Sequence, residues 1–80
     1  MYIKTMTTWR ERIETNTQIL VGKPIIKGTR IAVDFILELL AQGWTREKIL
    51  KNYPQLKDND ITAALEYSAH ALKLEAIYPL

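Results

Sequence analysis

The 80-residue chain contains no cysteine. That excludes a disulfide framework and any thiolate metal site, and it fits a reducing compartment. Histidine is nearly absent as well. His70 stands alone, flanked by alanines, and no cysteine or second histidine exists to complete a metal site with it. Long apolar runs are also missing. The longest, Phe35 to Ala41, is broken by Glu38, and the start Met1-Tyr2-Ile3-Lys4-Thr5 lacks the apolar core of a signal peptide. Neither a membrane span nor a membrane partner is expected, and a cytoplasmic location is. Glycine and proline number only three each, in a composition 48% hydrophobic and 25% charged. That balance belongs to a globular domain and excludes wholesale disorder. A single domain of this size removes only about 60% of its unfolded surface from water, which makes dimerisation a reasonable expectation.

Because turn formers are scarce, their positions organise the chain. Gly22-Lys23-Pro24 reads as a turn, since glycine can take positive φ and proline fixes its own φ while biasing Lys23 towards extended geometry. Ile25-Ile26 then read as strand, Lys27-Gly28 as a second tight turn, and Thr29-Arg30-Ile31 as a short returning run, together a small hairpin. Upstream, Ile13-Glu14-Thr15 is β-prone, Asn16-Thr17 reads as a turn, and Gln18 to Val21 supplies another apolar run. Residues 1–12 are expected to be a partly ordered tail with Trp9 as its large anchor. Residues 13–80 form a single domain: a β segment over 13–32, three helices over 33–75, and a C-terminal tail at 76–80.

From Val33 the apolar period lengthens from two to nearly four. Val33, Ile36, Leu37, Leu40 and Ala41 define one face of a helix, with Asp34, Glu38 and Gln42 on the other. Gly43 sits where a glycine would end that helix, and Thr45 is placed to cap the next, which spans about Arg46 to Asn52 and is closed by Pro54. The third and longest helix starts at a cap supplied by Lys57 or Asp58, Asp58 being chemically better, and extends to about Glu75. It carries two apolar stripes, Ile61-Ala64-Leu65-Ser68-Leu72 and Ala63-Tyr67-Ala71-Leu74. Two stripes are more than a two-helix scaffold covers, which again points to a dimer. The fold class is therefore mainly α: a three-helix core preceded by a short β-hairpin segment, whose arms need a partner surface.

These residues also carry a resemblance. GKPIIKGTRIAV, then ILELLAQGWTREKIL, YPQL and DITAAL resemble the bacterial domain-of-unknown-function family four-three-three, whose members are similar to VapB-type antitoxins. The resemblance covers roughly Ile13 to Ala71. It implies a homeodomain-like, helix-turn-helix core, a dimer that exchanges its β segment, and a genomic partner that is a PIN-like ribonuclease toxin. The sequence departs from the family pattern at Ala32, where relatives usually have proline, and at Lys57, where they often have threonine.

No catalytic constellation stands out, and the chain is read as a non-enzyme without a cofactor. Gly22 to Thr29 has glycine spacing one residue too long for a phosphate loop, and no lysine follows Gly28. Asp34 and Glu38 are one helical turn apart but fall on the polar face. Charge is more informative. Residues 1–30 hold six basic side chains (Lys4, Arg10, Arg12, Lys23, Lys27, Arg30) against Glu11 and Glu14, whereas residues 31–80 hold five basic against seven acidic. A polyanion should prefer the first third.

The candidate nucleic-acid-binding residues are Lys23, Lys27 and Arg30 on the hairpin and Arg46, Lys48 and Lys51 on the second helix. Arg30 is an alternative staple to Asp34. A helix-turn-helix reading has two registers, one with the second helix facing DNA and one with the third. The third helix carries Lys73 against Asp58, Asp60, Glu66 and Glu75, and its exposed residues are expected to be mainly Asn59, Asp60, Thr62, Glu66 and Lys73. Such a surface repels a phosphate backbone. Gly22, Pro24, Gly28, Thr29, Gly43 and Pro54 are the structural motif, and Trp9, Trp44 and Tyr67 are candidate partner contacts. The functional expectation is an antitoxin-like dimer that binds a PIN-like toxin and operator DNA. The alternative is a protein-interaction module without DNA binding.

Overall fold

The computed structural model describes residues 9–16 and 19–75. The expected turn at Thr17, the apolar run's start at Gln18, the first eight residues and the tail 76–80 lie outside the described residues. In chain order the elements are α1 (Trp9–Arg12), β1 (Ile13–Asn16), β2 (Ile19–Ile26), α2 (Val33–Ala41), α3 (Arg46–Asn52) and α4 (Asp58–Glu75). The described chain is thus mainly helical, with an antiparallel hairpin ahead of a bundle of α2, α3 and α4. The helical turn α1 lies inside the segment read as a tail.

The hairpin differs from the sequence expectation in which strands pair. β1 runs antiparallel to β2 with Ile13 opposite Ile26, Glu14 opposite Ile25 and Thr15 opposite Pro24; the register then shifts, so that Asn16 faces Ile19. Gly22-Lys23-Pro24, expected to be a turn, instead lies inside β2: Pro24 pairs with Thr15, and Gly22, at φ +81, falls in the part of the strand skipped by that shift. Pro24 is tolerated because a two-stranded sheet has only edge strands. The run Thr29-Arg30-Ile31, expected to be a returning strand, is not one. A single bridge joins Ile25 to Ala32, beside one Ile26 N–H to Ile31 carbonyl bond of 2.9 Å. Thr29 explains the early end. Its hydroxyl donates to the Ile26 carbonyl (2.7 Å) and accepts from the Ile31 N–H (3.0 Å), so groups that a strand would pair across are closed locally.

The core is built from both halves. Ile13, Ile26, Val33, Ile36, Leu39, Ile49, Leu56, Ile61, Ala63 and Ala64 form one buried cluster. The buried face of α2 is therefore Val33-Ile36-Leu39, a rotation from the expected Val33-Ile36-Leu37-Leu40-Ala41 face, and Ala41 is exposed. Both β2 and α4 pack against α2. Leu37 and Leu40 are half-buried against the core cluster.

Helix ends follow the local chemistry. The Trp44 N–H donates to the Leu39 carbonyl and the Gly43 N–H to the Leu40 carbonyl, both 3.0 Å, with Gly43 at φ +96. This is a Schellman closure, and it needs a residue that accepts positive φ. Thr45 caps α3 by accepting the Lys48 N–H at 3.0 Å. Tyr53 and Pro54 end α3, and a Leu56 N–H to Tyr53 carbonyl bond of 2.9 Å tightens the link to α4.

Two expectations about α4 are corrected. Asp58 is not its cap: the helix begins at Asp58, which leaves Lys57 at the cap position. Nor is Asp60 an exposed acid. It is buried, accepting the Lys57 N–H at 2.9 Å through one carboxylate oxygen and pairing with Arg12 at 3.0 Å through the other. Asp60 reaches back from the first turn as the acid of a capping box does, supplying an acceptor near the cap that Lys57 cannot. Of the two apolar stripes, Ile61, Ala63 and Ala64 are buried, while Leu65 and Leu72 remain 42% and 64% exposed.

Candidate nucleic-acid interface at the Gly28 turn

Six cations were nominated from the sequence, and the structure separates them by what holds them. Lys23 pairs with Asp34 at 3.0 Å, both side chains largely exposed. This corrects the suggested Arg30–Asp34 staple: the partner of Asp34 comes from β2, eleven residues earlier. Arg46 is committed most fully. Its Nε donates to Asp58 at 2.8 Å, and a terminal nitrogen donates to the Asp58 carbonyl at 3.0 Å and to the Thr62 hydroxyl at 2.6 Å. The Asp58 hydrogen bond raises the Arg46 pKa above its ordinary value, and the same bond lowers that of Asp58. Arg46 therefore ties α3 to α4, with three hydrogen bonds made inside the chain. Lys48 lies over the Trp44 ring, its nitrogen 4.3 Å from the centroid.

Lys27, Arg30 and Lys51 remain. All three are exposed, and among the described residues none takes part in an ion pair. Lys27 and Arg30 flank the turn that Gly28 makes at φ +83. The turn is held by a Thr29 N–H to Ile26 carbonyl bond of 3.0 Å, with the Thr29 hydroxyl contacts above and a Lys27 N–H to Arg12 carbonyl bond of 2.7 Å tying it to the end of α1. A glycine at this third turn position is what positive φ demands. Two shallow recesses flank it. One is lined by Lys27, Gly28, Glu11, Arg12 and Asp60, the other by Gly28, Thr29, Arg30, Glu14 and Gln55. The basic turn thus lies beside the α3–α4 connection and the N-terminal end of α4.

The aromatic partner candidates are engaged within the chain. Trp9 packs edge-on against Tyr67, ring centres 5.0 Å apart, and lies 5.4 Å from His70, with the Arg10 guanidinium 4.5 Å from its own ring centre. An edge-to-face pair of this kind is worth about 1 kcal/mol beyond its buried area. Trp44 is half-buried, 6.4 Å from Tyr53, which packs edge-on to Phe35. These contacts dock α1 on α4 and close the α2–α3 corner.

Sequence reasoning missed Arg12 and Asp60. They meet across 48 residues, so no local spacing reports the pair; the one available signal was an acid three residues after a poor cap. Among the described residues, no group of three histidine, cysteine, aspartate or glutamate side chains is placed to hold a metal, and no helix is long and apolar enough to cross a membrane.

A hairpin packed on a small helical bundle, with a basic turn at its edge, defines the class of domain. The chain belongs to the family described as protein of unknown function DUF433, whose model matches residues 13–68. The fold is similar to the crystal structure of a DUF433 member protein from Anabaena variabilis ATCC 29413 at 2.00 Å resolution. The TM-score is 0.75 at 26% identity, over 88% of this chain and 69% of that one. No curated protein matches the chain.

Proposed function

We propose that this protein is an antitoxin-like component of a toxin–antitoxin pair, acting in the cytoplasm as a homodimer that binds a PIN-like ribonuclease toxin and represses its own operon. The observation that carries the DNA-binding part is the Gly28 turn: two exposed cations without an ion-pair partner among the described residues, on a loop fixed by four hydrogen bonds. A fixed loop loses little entropy when it meets a phosphate backbone. The order α2, turn, α3, turn, α4 supports a homeodomain-like reading. In it, the bundle sets orientation, and Lys27 and Arg30, joined by Lys51, supply phosphate contacts.

The toxin part rests on the family resemblance. Its test is co-expression with the product of an adjacent reading frame that has a PIN-like arrangement of aspartates. The expected result is a complex that survives gel filtration and has suppressed ribonuclease activity. Full ribonuclease activity with separate elution contradicts it. A second reading, an interaction module without DNA binding, is favoured by the internal commitment of Lys23, Arg46 and Lys48.

A further inference from the structure

We propose that a second copy of this chain docks on the outer face of the C-terminal half of α4, helix against helix and antiparallel, with a two-fold axis passing between Ser68 and Ala69. This rests on the homodimer in the reading above and assigns it a surface. Leu65, Ala69 and Leu72 are exposed, and their spacing of four and three residues puts them on one side of the helix. Immediately beside them, Pro24, Val33, Leu37, Ser68, Ala71 and Leu72 line an apolar groove of about 280 Å³ between α4, α2 and β2. One face thus bears both projecting leucines and a hollow. A two-fold interface requires that kind of self-complementarity, because the same patch must serve on both sides.

The register follows from the helix period. Leu65 lies as far before the Ser68–Ala69 midpoint as Leu72 lies after it. Reversing the second helix therefore sets Leu65 against Leu72 of the second copy, and Leu72 against its Leu65. The small residues Ser68 and Ala69 meet at the axis, where they allow the backbones to approach to about 8–10 Å. Charge agrees with this register. Glu66, half-buried and with one carboxylate oxygen shielded and unpartnered, and exposed Lys73 are seven residues apart on the same flank, so reversal places Lys73 of one copy beside Glu66 of the other at both ends of the contact. A parallel arrangement would set like charges level with each other.

Length limits the contact. The segment from Leu65 to Glu75 is only about 16 Å long. Even with the groove wall included, it stays below the roughly 800 Å² per partner of a standard interface. The dimer is therefore reversible, with association in the micromolar range rather than tighter.

The test is sedimentation velocity of the full chain from about 5 to 200 µM, with two variants. Wild type should shift from monomer to dimer across that range. Leu72→Asp, at a position 64% exposed, should remain monomeric across the range, with a melting curve like that of wild type at about 5 µM, where wild type is monomeric too. Ala69→Cys, in a chain with no other cysteine, should form a covalent dimer on mild oxidation, while Ala41→Cys, exposed at the end of α2, should not. A wild type that stays monomeric throughout overturns the homodimer and the interface together. A dimer that survives Leu72→Asp and fails to cross-link through position 69 overturns the interface alone.

Discussion

Gly28 shows how much a single residue contributes through its backbone alone. A Cβ built there would meet nothing within 4 Å, so the cost of a side chain is confined to its φ of +83. Gly28→Ala should destabilise by about 1 kcal/mol, lowering the melting temperature by roughly 4–8 °C. An unchanged melting curve by circular dichroism would show that the turn relaxes to negative φ. The need for glycine was legible, because a Lys-Gly pair after two β-branched residues signals a tight turn. The role of Thr29 was not. A hydroxyl that closes the turn locally and one that faces solvent from a strand have the same sequence signature. Asp60 was misread in a related way: as an acid in a first turn it reads as solvated, but the Lys57 N–H and the distant Arg12 together offset its burial.

The α2–α3 corner falls where local chemistry says, whereas β2 runs through the expected turn at Gly22-Lys23-Pro24, and the elements are joined by contacts that local sequence does not report. Gly43 and Thr45 mark the α2–α3 corner in sequence and in structure. The pairing of β1 with β2 was less visible, since the stronger apparent hairpin at Ile25–Ile31 is consumed by the Thr29 turn. Of the α3–α4 link, Arg46 was read from sequence as a nucleic-acid contact and Asp58 as the better cap of the last helix. The link has a pH signature. The hydrogen bond from Arg46 lowers the folded-state pKa of Asp58 below the unfolded value of about 3.9. Its contribution is therefore complete well above that value and is lost as pH falls through the lower, folded pKa. Thermal melts of wild type and Asp58→Asn should differ at neutral pH and converge as pH drops below about 4. A gap that stays constant across the acid range would mean that the pair contributes nothing to folding.

For the whole molecule, charge is divided by sequence but regrouped by folding. The first third is basic, as the composition says, yet Arg12 and Lys23 are spent on Asp60 and Asp34, both from the acidic remainder. The basic surface is consequently narrower than a count of residues suggests, and Lys27 and Arg30 are its centre on the hairpin. On α4, the burial of Asp60 removes one acid from the surface, but Asp58 and Asn59 at its start still offer no cation to DNA. The proposed DNA contact is the Gly28 turn. It is tested most directly by fluorescence-anisotropy titration against the promoter fragment of the protein's own gene at about 50 and 200 mM salt. Lys27→Ala with Arg30→Ala should weaken binding to every DNA sequence alike and reduce the salt slope by about two, one for each lost phosphate contact. Wild-type binding by that double variant, together with loss of binding in Asn59→Ala, would contradict that proposal and make α4 the reading helix.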